Sequence, residues 1–138
     1  MADDEASLRS QVSSKESQKA DREREKRAIE EKIRRLQEAE KKVKLEKATI
    51  RDLKDQVHKQ RKPDSQWDGN LKNRYQNFVE YDFKQDYNNY YNGVDTLLDT
   101  IVRKIVSLQN EASDLTGIIG FLARAINSLW GEIRALFN

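Results

Sequence analysis

The stretch VDTLLDTIVRKIVSLQNEASDLTGIIGFLARAINSLWGEIRAL, residues 94–136, decides the fold. Val94, Leu98, Ile101, Ile105, Leu108, Ala112, Leu115, Ile119, Leu122, Ile126, Leu129, Ile133 and Leu136 follow one another in alternating steps of four and three, and all thirteen are apolar. That alternation places one continuous stripe along an α-helix. At about 1.5 Å per residue such a helix runs for roughly 65 Å.

The same segment carries more apolar surface than one seam uses. Leu97, Val102, Val106, Ile118, Phe121, Ala123, Ala125, Trp130, Ala135 and Phe137 lie outside the stripe, and all but Val106, Phe121 and Ala135 flank it. A single partner helix covers a seam but not both flanks. Each large side chain left in water forgoes roughly 1.5–3 kcal/mol, so the surplus surface should recruit another chain. The expected partner-binding set is Leu97, Val102, Ile118, Phe121, Leu122, Ile126, Leu129, Trp130, Ile133 and Phe137.

Upstream, Ile29, Leu36, Val43, Ile50 and Val57 recur every seventh residue, with Ile33, Ala39 and Leu53 expected on the same side. The spacing predicts a helix over 29–62 with a thin apolar stripe. Residues 1–28 are apolar only at Met1, Ala2, Ala6, Leu8, Val12, Ala20 and Ala28, which predicts a weakly ordered, frayed start. Glu23 with Arg27, Glu31 with Arg35, and Glu40 with Lys44 have the spacing of ion pairs on a solvated helix.

Between the periodic segments lies KPDSQWDG, residues 62–69. Pro63 disfavours helical geometry at Lys62, and Ser65 with Asp68 resembles a capping box. A turn over 63–69 and a second helix over 70–138 follow. A short turn makes the helices antiparallel, with Trp67 plugging the turn end and Gly69 allowing close backbone approach. Weak helix formers over 86–93 predict a break in the second helix near Gly93. The expected fold is all-α: a single-domain, elongated antiparallel helical hairpin of coiled-coil type.

Composition narrows the function. The 138 residues hold no Cys, one His and one Pro. A thiolate metal site, a cysteine nucleophile and a His-based triad or zinc site have no raw material. His58 reads as a surface residue among Lys59, Arg61 and Lys62. Residues 1–62 hold 19 Lys/Arg against 14 Asp/Glu, and residues 63–138 hold 7 against 10. Both halves mix signs, unlike the one-signed patch of a nucleic-acid binder. No paired carboxylates, phosphate loop or nucleophile constellation is present, so the chain reads as non-catalytic, with no cofactor and no metal.

The N-terminus MADDEASLRS has no apolar leader core, and no stretch reaches a membrane-spanning length, so the expected location is the cytoplasm. Gly117, Gly120 and Gly131 lie off the seam and cost helix stability unless a neighbour approaches closely or the helix kinks. The Tyr/Asn run 87–92 reads as packing, since nearby cations for base stacking are few.

The W-x-G turn between a charged helix and a long apolar-periodic helix resembles the WXG100-like hairpins of type VII secretion. LEKATIRDLKDQV (45–57), QWDG (66–69) and YYNGVDTLLDTIVRKIVSLQNEASDL (90–115) are more closely similar to the YwqH-like family, and the likeness runs from about residue 8 to the end. The resemblance implies a small helical targeting factor that binds the helical N-terminal domain of an LXG-type toxin, alone or with a second small helical partner. It also implies possible passage through type VII secretion with the cargo. Phe78 with Asp82 and Tyr91 with Asp95 match the aromatic-x-x-x-acid export signature of that system, away from the C-terminus. Two alternatives come from other classes: a self-assembling coiled-coil protein whose second helix pairs with copies of itself, and a membrane-surface helix over 117–137, which its few cations argue against.

Overall fold

The computed structural model describes residues 2–59, 73–74 and 77–138. The fold is all-α, a hairpin of two helices that pack against each other, with no strand among the described residues. Helix α1 spans Ala2–Lys59, a π-helical turn spans Phe78–Phe83, and helix α2 spans Lys84–Leu136. The expected turn over 63–69, with Trp67 and Gly69, lies outside the described residues, as do the side chain of His58 and the residues Pro63, Ser65 and Asp68.

Two expectations about the helices differ from what is found. Helix α1 begins at Ala2 and runs unbroken through the segment expected to fray. Asp3, Asp4 and Glu5 occupy its first turn, where negative charge meets the positive end of the helix dipole. Helix α2 passes through Gly93 without a break, and no glycine among the described residues has positive φ. The irregular turn instead comes earlier, at Phe78–Phe83. Aromatic spacing accounts for its position. Phe83, Tyr87 and Tyr91 recur every four residues, but Phe78 precedes Phe83 by five. Five residues carry a side chain about 140° past a full turn on an α-helix, whereas a π turn absorbs one extra residue. Phe78 and Phe83 then sit with ring centroids 6.3 Å apart. Phe83–Tyr87 at 6.2 Å and Tyr87–Tyr91 at 5.6 Å continue the column.

The contacts divide the chain into two compact units, residues 1–35 with 105–138 and residues 36–104. In the first, Val12 of α1 packs into a core with Ile126 and Ile133 of α2, and Leu8, Leu129 and Trp130 close around it. Val12 is 4% exposed and Ile133 is 3% exposed. The guanidinium of Arg9 lies over the Trp130 ring, 5.7 Å from its centroid. Low residue numbers meet high ones, so the two helices run antiparallel in this unit. Burying Val12 and Leu8 is what orders a segment whose own apolar content is too small to hold a helix.

Among the described residues of the second unit, Tyr87 and Ile101 are the buried apolar ones. Lys47, Arg51 and Lys54 of α1 face Asp95, Tyr91 and Tyr87 of α2, again with rising numbers against falling ones. The α1 side of the packing is built differently from the expectation. Leu53 is exposed, while its neighbour Lys54 is half-buried over an aromatic ring.

All thirteen seam residues of α2 are buried or half-buried. The outer surface of α1 is laced with short-range ion pairs, among them Glu31–Arg35 at 3.3 Å and Glu40–Lys44 at 2.8 Å. Glu23 pairs with Lys19 at 3.5 Å rather than with Arg27. The Arg34 guanidinium, hydrogen-bonded to Glu31 and assisted by Arg35, pushes the Glu31 carboxyl down to about 2.

Candidate partner-binding surface

The ten residues expected to receive a partner divide into two sets. Leu122, Ile126 and Ile133 are buried within the first unit, and Leu129 and Trp130 pack against its core. Those five pack within the chain's own hairpin, so a partner would reach them only if α1 gave way. Although α1 offers few apolar residues over 1–28, Val12 and Leu8 pack with Ile126, Leu129, Trp130 and Ile133. Leu97, Val102, Ile118, Phe121 and Phe137 remain exposed. Val106 belongs with them.

These residues are apolar side chains that the hairpin leaves in water. In the first unit Ile118 and Phe121, with the edge of Leu122, floor an open groove of about 400 Å³ whose wall is Lys15, Gln18, Asp21, Arg22 and Glu25 of α1. An apolar floor beside a charged wall suits an amphipathic helix: apolar anchors enter the floor and polar flanks meet the wall. A second open groove in the same unit has mostly polar walls, Glu16, Lys19 and Glu23, beside Ala20 and Ile126.

The second unit presents a polar clasp. Arg51 donates a hydrogen bond to the Tyr91 hydroxyl at 2.8 Å. The Lys47 ammonium pairs with the Asp95 carboxylate and lies 5.1 Å from the Tyr91 ring centroid. Lys54 lies 4.9 Å from the Tyr87 ring centroid. The hydrogen bond from Arg51, with Lys47 beside it, lowers the Tyr91 hydroxyl from its ordinary value, whereas burial raises that of Tyr87. The Asp95 carboxylate, followed by Tyr91, raises Lys47. The clasp escapes sequence reading because lysine stems that cover tyrosine faces carry no apolar periodicity. The signal available was charge type: cations at 47, 51 and 54 against rings and a carboxylate at 87, 91 and 95.

The two aromatic-x-x-x-acid pairs differ in accessibility. Tyr91 and Asp95 are half-buried and engaged with α1. Phe78 and Asp82 are both exposed, on the π turn.

A Cβ built on Gly93 or Gly117 meets no atom within 4 Å, and on Gly120 or Gly131 it meets only an arginine tip. The hairpin itself therefore imposes no steric need for these glycines. Among the described residues no cluster of three or more potential metal ligands occurs, and no helix is long and apolar enough to cross a membrane.

These features define a class: a two-helix, all-α chain whose second helix keeps apolar side chains exposed after its own seam is filled. The YwqH-like family model matches residues 9–130, and the chain belongs to the YwqH-like family. Comparison with curated proteins and with solved structures finds no match.

Proposed function

We propose that this chain is a non-catalytic helical partner and targeting factor, binding the N-terminal helices of an LXG-type toxin for type VII secretion. The observation that carries the reading is the exposure of Leu97, Val102, Ile118 and Phe121 on α2, and of Phe137 just after it, in a YwqH-like chain. Side-by-side helix packing would bury those residues under the toxin's helices, with the floor of Ile118 and Phe121 as one anchor point. The loading step belongs to the cytoplasm, and a second small helical protein would share the toxin's remaining apolar surface. The accessible Phe78 and Asp82 are the better-placed of the two export-like pairs.

The test is co-expression with the helical N-terminal domain of an LXG toxin from the same host, followed by size-exclusion chromatography. A co-eluting complex that Phe121→Ser and Phe137→Ser weaken supports the reading. Separate elution of the two chains at micromolar concentration overturns it.

A further inference from the structure

The face of α2 directly opposite its seam carries a second row in steps of three and four: Asn110, Asp114, Gly117, Phe121, Arg124 and Ser128. All six are exposed, and Phe121 is 61% exposed. Their chemistry is complementary about a centre at position 119. Gly117 and Phe121 stand two residues either side of it, Asp114 and Arg124 five, Asn110 and Ser128 nine.

An antiparallel helix pair related by a two-fold axis brings residue i of one copy opposite residue j of the other and j opposite i. With the axis at 119, the large ring of Phe121 meets the hydrogen-only face of Gly117. Asp114 meets Arg124, and Asn110 meets Ser128, each pairing occurring twice. No like charges oppose each other on this row. The geometry points to a second copy of this chain as the occupant of the outer face of α2, in an antiparallel, two-fold dimer centred on position 119.

Three independent features support that occupant. Gly117 has nothing within 4 Å of where its Cβ would stand, so it is an open socket that the hairpin does not use. Phe121 projects beside it with no cover from its own chain over most of its surface. Asp114 and Arg124 take part in no ion pair within the chain among the described residues, so both charges are available to a second copy. Opposite charges at equal distances from one centre are what a self-complementary surface requires, and an unrelated partner does not require them.

The inference goes beyond the toxin-binding proposal, because it concerns the chain alone. Its test therefore uses the purified full-length chain without any toxin, by sedimentation equilibrium over about 1–200 µM, the range in which a small interface associates. The wild type is expected to form dimers and no larger species. Gly117→Leu fills the socket while raising helix propensity, and is expected to weaken dimerisation by about tenfold or more with helix content unchanged. Asp114→Arg and Arg124→Asp each turn two attractions into two repulsions, and each alone is expected to be monomeric in the same range. An equimolar mixture of those two variants restores both attractions, since one chain carries Arg at 114 and 124 and the other Asp at both. The mixture is expected to form a heterodimer, and the doubly swapped chain a homodimer. A wild type that is monomeric up to 200 µM overturns the proposal. So does a dimer indifferent to Gly117→Leu, or two charge variants that stay monomeric when mixed. Circular dichroism of every variant separates loss of pairing from loss of fold.

Discussion

The hydroxyl of Tyr91 accepts a hydrogen bond from Arg51, forty positions earlier in the chain, at 2.8 Å. Four residues back along α2, Tyr87 stacks on Tyr91 and is nearly buried beneath Lys54. Two tyrosines on one face of one helix therefore meet opposite environments. Arg51 and Lys47 favour the phenolate of Tyr91, and burial disfavours that of Tyr87.

An alkaline titration followed by phenolate absorbance is expected to resolve them. Tyr91 ionises below the ordinary tyrosine value of 10.0 and Tyr87 above it. The sign for stability follows from which state holds the proton. Tyr91 is lowered on folding, so its contribution appears as pH rises through its folded value and is complete above 10.0. Tyr87 is raised, so its contribution is full below 10.0 and is lost as pH climbs through its folded value. Tyr91→Phe should remove the early component of the titration and leave the late one. Early ionisation that survives Tyr91→Phe would refute the assignment.

Ile133 and Phe137 are one helical turn apart and should respond oppositely to truncation. Ile133 is 3% exposed against Val12, and Ile133→Ala is expected to cost about 2–4 kcal/mol through lost burial and the cavity left behind. Phe137 is 67% exposed, and Phe137→Ala is expected to change stability by less than about 0.5 kcal/mol. Urea unfolding of both variants checks the pair. Equal losses would mean that the C-terminal turn of α2 is covered by something other than the N-terminal half of α1.

Much of this architecture is legible in the sequence, and the illegible parts share a cause. The thirteen-residue alternation of α2 is apolar at every step, so the buried face can be read directly. On α1 the positions 29, 36, 43, 50 and 57 are apolar and half-buried, and are equally plain. The companion row is not: it shares Val12 and Ile33 with Lys19, Lys26, Lys47 and Lys54, and each of these lysines is half-buried. A hydrophobicity pattern sees only a charge there. The start of α1 is hidden for a related reason, since residues 1–28 gain their order from α2, more than a hundred positions away in sequence. The break expected at Gly93 rests on local propensity, which the packing of a long helix overrides. The π turn shows only as a five-residue gap between Phe78 and Phe83.

Gly93 offers a direct check of that override. Helix α2 is continuous through it, and a Cβ there would meet nothing within 4 Å. Gly93→Ala should therefore stabilise the chain by about 0.5–1 kcal/mol, from the lower entropy of the unfolded state and better helix propensity. A break or left-handed turn at this position would give the opposite sign. Thermal unfolding followed at 222 nm is sufficient to tell them apart.

The lysines of the inner row suggest why α1 is no better a partner for α2 than it is. Lys19 and Lys26 lie at positions where leucine would extend the seam, and each keeps about a third of its side chain exposed. Their stems cover apolar surface while their ammonium groups reach Glu23 and Glu30 at 3.5 and 3.7 Å. Lys19→Leu with Lys26→Leu should tighten the first unit by about 1–2 kcal/mol, a gain in buried apolar area discounted for the lost surface pairs. If toxin helices dock only on the exposed residues of α2, the double variant should bind the LXG domain as the wild type does. If docking needs α1 to lift away, so that Leu122, Ile126 and Ile133 join the interface, affinity should fall by the same 1–2 kcal/mol, about five- to thirtyfold. Calorimetric titration of the two chains with one toxin domain decides between a static surface and an opening hairpin.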